Sequence, residues 1–324
     1  MTRAAVVVVG SLLVVVGGIA LIEREATRLW FTDPVSGEEG QKEESDPAAT
    51  TSKETRTALA DATAPVRIPR GISQPTRRVA QWSILRTRRD PRRLNFLLLP
   101  VVIVGSALFS SGMQAESPLA VFVPAAAVLL PWMAGATFAM NPFGDEGSVL
   151  PITLISISGL AYVRGVMLPG LLLRLPIAVL VTGGAALVGP FELPAAVGLV
   201  GVALLATVVA VSTAPAVGIW FPRFSAISIG QSREVVPPRL VTTAFHFLGV
   251  TVPATLLQLV AGEDVGVLSD ASTWFYGIGT AVQSVSGESF QLVGGGLLVV
   301  GAVVITVLSY RLAVRRFDRY SPSL

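Results

Sequence analysis

Long apolar stretches dominate the sequence, and each is about as long as a membrane-crossing helix. Such a helix needs roughly 20 apolar residues to cross a hydrocarbon core of about 30 Å. Only 14% of the residues are charged and the mean hydropathy is +0.68, which predicts an integral membrane protein. The predicted spans are Ala4–Ile22, Asn95–Ser111, Pro118–Met140, Val166–Val188, Pro194–Trp220, Leu240–Ala261 and Leu292–Tyr310.

Prolines inside the spans favour a packed bundle over separate anchors. Lipid cannot hydrogen-bond a backbone that proline has opened, so a neighbouring helix must do so. The internal prolines are Pro100, Pro124, Pro131, Pro169, Pro176, Pro215 and Pro253. We therefore expect an all-α fold: a polytopic membrane bundle whose six-helix core spans residues 77–324, with one further transmembrane helix before it.

The first helix, residues 1–22, is predicted to be retained, since no small-x-small cleavage site follows it. It belongs either to this bundle or to a preceding half-module. Residues 23–76 are predicted to be a flexible cytoplasmic linker. Much of this stretch is rich in Glu, Ser, Thr and Ala and has no apolar periodicity, so it buries too little surface to offset the entropy of ordering.

The arginines predict the orientation of the chain in the cell membrane. Residues 75–93 carry seven arginines, which favour a cytoplasmic location. With alternating spans, the other predicted cytoplasmic segments also carry arginine, whereas residues 112–117, 189–193 and 262–291 contain six acidic residues and no basic one. The amino terminus is therefore expected outside and the carboxyl terminus in the cytoplasm.

Several classes of chemistry are excluded by the residues that the chain lacks. It has no cysteine and one histidine, which excludes thiolate catalysis, iron–sulfur clusters and Cys/His zinc sites. No phosphate-binding Gly-x-x-x-x-Gly-Lys-Ser/Thr loop is present, so nucleotide energy must come from a partner. We expect no catalytic residue, no cofactor, no metal and no bound nucleic acid.

Two ionisable residues fall inside the predicted spans, Arg174 and His246. An intramembrane charge is a functional hypothesis by default. Arg174 is close enough to the predicted end of its helix to extend its side chain to the cytoplasmic surface, which is the favoured interpretation. His246 has no carboxylate in any predicted span and is interpreted as a packing residue.

The segment between the third and fourth predicted spans, residues 141–165, is the most informative part of the sequence. It contains the acidic-glycine pair Glu146-Gly147, a short apolar run at 149–154, a small hydroxyl at Ser158 and a basic residue, Arg164, before the next span. This order resembles the coupling segment of ABC-2 type transporter permeases. The likeness covers about residues 77–324.

The resemblance implies a function and partners. The chain would be the permease subunit of an ATP-driven transporter, an exporter of an unidentified substrate, with ATP hydrolysed by a separate nucleotide-binding ATPase subunit. A second permease half, the same or a different chain, would complete the transport path. Residues 77–93 would form an interfacial helix and 262–291 an external loop. The residues implied in coupling are Glu146, Leu150, Leu154, Ser158 and Arg164.

Two other functions remain open from the sequence. An ion-coupled secondary transporter is disfavoured, because the predicted spans contain no Asp or Glu. A non-transporting membrane anchor, or a truncated permease half, is compatible with the additional first helix.

Overall fold

The computed structural model describes residues 68–69, 71–228, 234–261 and 288–321. All of them belong to the unit Ala58–Leu324. The predicted first helix, nearly all of the predicted linker and most of the predicted external loop lie outside the described residues.

The predicted fold class is confirmed, since the described part of the chain is an all-α polytopic bundle. Six helical stretches are long and apolar enough to cross a membrane. They are Pro91–Gln114, Pro118–Ala139, Gly159–Val188, Leu193–Trp220, Leu240–Gln258 and Gly294–Asp318. Each corresponds to one of the last six spans predicted from the sequence.

The helices are numbered in chain order. They are α1 (Gln74–Arg89), α2 (Leu98–Gln114), α3 (Pro118–Ala139), α4 (Pro142–Glu146), α5 (Leu150–Ser156), α6 (Gly159–Pro169), α7 (Leu175–Val188), α8 (Leu193–Trp220), α9 (Leu240–Ala261) and α10 (Glu288–Asp318). Short 3-10 helices at Pro91–Leu97 and Gly147–Val149 precede α2 and α5, and two-residue strands at Ile227–Ser228 and Glu234–Val235 pair in antiparallel fashion.

Helix α1 corresponds to the predicted interfacial helix. Its Val79 and Leu85 are buried, whereas Trp82 is 40% exposed. At 100° per residue, Trp82 lies opposite the centre of the buried stripe, which also includes Ala80 and Ile84.

The third membrane-crossing stretch is longer than predicted and changes its winding part-way. It begins at Gly159 rather than Val166, because Ser158 caps the helix: its Oγ accepts a hydrogen bond from the Ala161 N–H at 3.4 Å. Between α6 and α7 the backbone makes a π-helical turn, Gly170–Arg174. Prolines border this turn on both sides, and proline removes the regular i to i−4 hydrogen bond.

Helices α3 and α8 pack closely at the centre of the bundle. A Cβ at Gly135 of α3 would lie 2.2 Å from the carbonyl oxygen of Ala210 in α8, so only glycine permits this approach. Lipid is as apolar as the side chains, so the hydrophobic effect does not bring membrane helices together. Small residues at helix contacts allow close van der Waals packing instead.

One end of the bundle carries most of the basic residues and is called the basic end here. At this end α3, α8 and α10 finish and α6 and α9 begin. The largest fully buried side chains gather towards it, and they include Trp132, Phe143, Tyr162, Ile219 and Phe317. The short helices α4 and α5 lie at the basic end and form the connection described next.

Candidate functional site

The predicted coupling segment leaves α3 and enters α6 through two short helices, and its residues 141–158 are called the α3–α6 connection here. Pro142 occupies the first turn of α4, where its missing N–H costs no hydrogen bond. Gly147 has a φ of 53°, a left-handed conformation that glycine adopts without steric strain, and it reverses the chain between α4 and α5. Pro142 and Gly147 therefore both suit the backbone conformation of this connection.

Asn141 fastens the start of the segment to the loop that follows α8. Its side-chain amide donates to the carbonyl of Arg223 at 2.9 Å and accepts from the Arg223 N–H at 3.0 Å. Asn141 is buried, and a Cβ at the neighbouring Gly144 would lie 2.0 Å from the Arg223 carbonyl oxygen. The connection after α3 and the loop after α8 are therefore in close contact, and a residue larger than glycine would not fit at position 144.

Two ion pairs join the segment to the arginine-rich stretch before α2. Arg86 of α1 pairs with Glu146 at 3.4 Å, and Arg93 pairs with Asp145. All four side chains are largely withdrawn from solvent. Burial raises the pKa of Asp145, while the charges of Arg93 and Arg86 oppose that rise. Buried charges of this kind persist only when paired, so the pairs fix where α1 lies against the segment.

Glu146 is the centre of a polar network at the basic end. In addition to Arg86, its carboxylate accepts from the Thr153 hydroxyl at 3.1 Å and from the Tyr162 hydroxyl at 3.3 Å. Tyr162 also lies 3.0 Å from the Pro142 carbonyl oxygen. One carboxylate therefore connects α1, α4, α5 and α6.

The end of the segment is held by the last helix. The Gly159 N–H donates to the Asp318 carboxylate at 2.7 Å, and a Cβ at Gly159 would lie 2.6 Å from the same oxygen. Phe317 stacks on Tyr162 with ring centroids 4.6 Å apart and contacts Phe143 at 5.7 Å. The carboxyl-terminal end of α10 is thereby packed into the core beside the α3–α6 connection.

The apolar residues of α5 divide into an inner and an outer set. Leu150 is 3% exposed and Leu154 is partly buried, and both pack on the main core. The resemblance implies Leu150 in coupling, but its side chain is covered by the chain itself in the structure, so that role stays a prediction. Ile152 and Ile155 instead project outwards, with exposed fractions of 67% and 89%.

Arg164, the last of the residues implied in coupling, does not join the Glu146 network in the structure. Its Nε donates to the Tyr310 hydroxyl at 2.9 Å, which links α6 to α10. The residue is exposed and lies two positions after the buried Tyr162.

Arg174 ends the π-helical turn and is partly exposed. It lies about four turns into the helix counted from Gly159, rather than the two turns expected from Val166, because the helix starts earlier. No described carboxylate lies within ion-pair distance of it. Its extension to the membrane surface stays a prediction.

His246 is fully buried where α3, α8 and α9 meet. Its Nε2 lies 2.9 Å from the Ala210 carbonyl oxygen and takes the donor role there, while no described polar atom is within hydrogen-bond distance of Nδ1. Ala210 lies five residues before Pro215 in α8, so its carbonyl is not the i−4 acceptor that the proline leaves without a donor. The histidine therefore contacts helix backbone, in line with its interpretation as a packing residue.

The partners that organise the site were not predicted from the sequence, and they are Arg86, Arg93, Asp145, Tyr162 and Asp318. The two arginines were interpreted only as topology signals. A charge argument would have identified them, because adjacent acidic residues at the end of a span, facing a stretch with seven arginines, favour ion pairs in a partly dehydrated interface.

The described residues bring ion pairs, hydrogen bonds and aromatic contacts together at the basic end. Among the described residues no group of three or more His, Asp or Glu side chains is placed to hold a metal ion. Comparison with protein-family models, curated proteins and solved structures finds no match to this chain.

Proposed function

We propose that the chain is the membrane-spanning permease subunit of an ATP-driven exporter of the ABC-2 type. It works with a separate nucleotide-binding ATPase that docks at the basic end, which lies in the cytoplasm of the cell. A second permease half, identical or different, completes the transport path. That the protein is a multi-pass membrane protein is already supported by its six apolar helices.

The outer face of α5 is the observation that carries this proposal. Ile155 and Ile152 are the more exposed apolar residues of the coupling segment, and Val149 next to them is 47% exposed. Adjacent apolar side chains at the end of a bundle, outside every apolar span, favour contact with a partner. A shallow groove on an ATPase would bury these side chains.

The attachment of the segment supports a mechanical role. A force on α5 reaches α1 through Glu146 and Arg86, and it reaches α6 through Glu146 and Tyr162. It reaches α10 through Gly159 and Asp318. Because each attachment is short and buried or partly buried, movement of the ATPase against α5 would tilt several helices together.

The ion-coupled alternative finds less support. The six apolar spans of the described residues contain one acidic residue, Asp318. It is the last residue of its span and accepts a hydrogen bond from the Gly159 N–H. Proton- and sodium-coupled carriers usually bind the ion on carboxylates within the membrane.

The first experiment is purification of the tagged chain from membranes of its source cells in mild detergent. We expect a stoichiometric partner whose sequence contains a phosphate-binding loop, and ATP hydrolysis that is present with the partner and absent from the chain alone. ATP hydrolysis by the chain alone, or copurification without any nucleotide-binding partner, would contradict the proposal.

The second experiment tests the outer face of α5 with Ile155→Asp. Because Ile155 is almost fully exposed, the substitution should leave folding intact, yet a carboxylate buried at the contact should lower partner recovery at least tenfold. The matched control is Phe224→Asp, an exposed apolar residue at the same end of the bundle but outside the segment, which should bind like the parent. Equal recovery of the partner with both variants would remove the main support for docking at α5.

A further inference from the structure

A cavity lies between the start of α1 and the outer face of α6. Its volume is about 350 Å³, and it is partly open to the surroundings. From α1 and the residues before it come Gly71, Ile72, Ser73 and Thr76, and from α6 and the π-helical turn come Arg164, Met167, Leu168 and Leu171. None of the eight is acidic, and none takes part in the Glu146 network.

The lining changes from polar to apolar along the axis of the third span. Arg164, Leu168 and Leu171 follow one another at helical spacing on one face, and they extend about 10 Å along the helix axis from the basic end towards the middle of the span. The cationic group thus lies nearer the end of the span and the aliphatic side chains lie nearer its middle, which is the order of headgroup and acyl chain in a lipid leaflet.

Arg164 is arranged to bind an anion. Its Nε is held by the Tyr310 hydroxyl at 2.9 Å, while the structure gives its two Nη groups no partner among the described residues. A guanidinium fixed at one edge presents its remaining N–H groups in a planar fork that matches two oxygens of a phosphate.

Two hydroxyls add hydrogen-bonding capacity at the same end of the cavity. The Ser73 hydroxyl donates to the Thr76 hydroxyl at 2.9 Å, and Thr76 is only 4% exposed. The helices that form the walls are held closely together, since a Cβ at Gly165 would lie 2.4 Å from the Cβ of Val79. The cavity is therefore a fixed feature of the α1–α6 contact.

We propose that this cavity binds an anionic phospholipid, with its phosphate on Arg164 and the hydroxyls and one acyl chain along Met167, Leu168 and Leu171. A headgroup with net negative charge is preferred over a zwitterionic one, because no lining carboxylate is available for an ammonium group. The proposal does not depend on the transport function, since it concerns only how α1 and α6 bind lipid.

The test is native mass spectrometry of the purified chain with phosphatidylglycerol or phosphatidylcholine at equal concentration. We expect the parent to retain phosphatidylglycerol in preference, and Arg164→Gln to lower its retention about fivefold while phosphatidylcholine is unaffected. The matched control is Arg311→Gln, an exposed arginine at the same end of the bundle that does not line the cavity.

Two further variants separate ligand binding from structure. Tyr310→Phe removes the bond to Arg164 but keeps the charge, so it should retain most of the bound phosphatidylglycerol. Gly71→Trp fills the cavity from a position where an added Cβ meets no atom within 4 Å, so it should lower retention without loss of folding.

Three outcomes would overturn the proposal. These are equal retention of the two lipids by the parent, equal losses in Arg164→Gln and Arg311→Gln, and displacement of the lipid by glycerol phosphate at matched concentration. The last result would mean that the apolar half of the cavity contributes nothing and that the site binds a free phosphate compound.

Discussion

At the residue scale, Glu146 has three side-chain partners in the described structure, more than the other side chains of the α3–α6 connection. It accepts hydrogen bonds from Arg86, Thr153 and Tyr162, and each donor lies on a different helix. Hydrogen bonds to a charged acceptor stabilise more than neutral ones, because the charge strengthens each bond. Removing the Glu146 carboxylate therefore weakens the contacts of α4 with α1, α5 and α6 together.

We predict that Glu146→Gln lowers the free energy of unfolding by about 1–3 kcal/mol. The amide keeps the shape of the side chain but loses the charge that pairs with Arg86, and one of its two acceptor positions becomes a donor. Thermal unfolding in detergent measures the change. Glu116→Gln is the control, since Glu116 is exposed at the opposite end of the bundle and should leave the unfolding temperature unchanged. Equal stability of both variants would show that the network contributes little.

Single residues also show what the sequence could and could not predict. Ser158 was identified as a small hydroxyl before the next span, and the structure shows it as the cap of α6, a position that serine favours. The burial of Leu150 was not predicted, since periodicity does not tell which side of a seven-residue helix is covered by distant parts of the chain. The contact of Gly159 with Asp318 joins residues far apart in sequence, and no local pattern contains it.

At the element scale, helix α8 is bonded by a side chain from another span. The Ala210 carbonyl, five residues before Pro215, accepts a hydrogen bond from His246 of α9. Apolar length and composition predicted α8 almost to its ends, since both are local properties. They did not predict that a side chain from another span would bond its backbone.

We predict that His246→Phe weakens the contact between α8 and α9 by about 1 kcal/mol, because hydrogen bonds between membrane helices contribute about that much. A slightly lower unfolding temperature in detergent would show it, with the helix content unchanged by circular dichroism. The control is Phe245→Leu, whose side chain is 63% exposed on the same helix and should have no effect. A histidine that served as a proton relay would behave differently: transport by the His246→Phe variant would be lost while stability stayed normal.

At the scale of the whole molecule, each described connection between two spans lies at one of the two ends of the bundle. The contacts of Asn141 with Arg223, of Gly159 with Asp318 and of Gly218 with Met140 bring the predicted cytoplasmic segments together. The sequence predicted this grouping from alternation of spans and charge. It could not predict the ion pairs and aromatic contacts that hold the segments together, since these depend on the relative rotation of helices.

The last prediction concerns which end faces the cytoplasm. The natural absence of cysteine allows single-cysteine variants without background labelling. Glu116→Cys, between α2 and α3, should react with an impermeant thiol reagent in intact cells, whereas Ser321→Cys, just after α10, should react only after the membrane is opened. Both residues lie outside the spans, so access to the compartment decides the result. If Ser321→Cys reacted in intact cells and Glu116→Cys did not, the basic end would face outside, away from ATP. The proposed docking of an ATPase on α5 would then be untenable, even though the bundle itself would be unchanged.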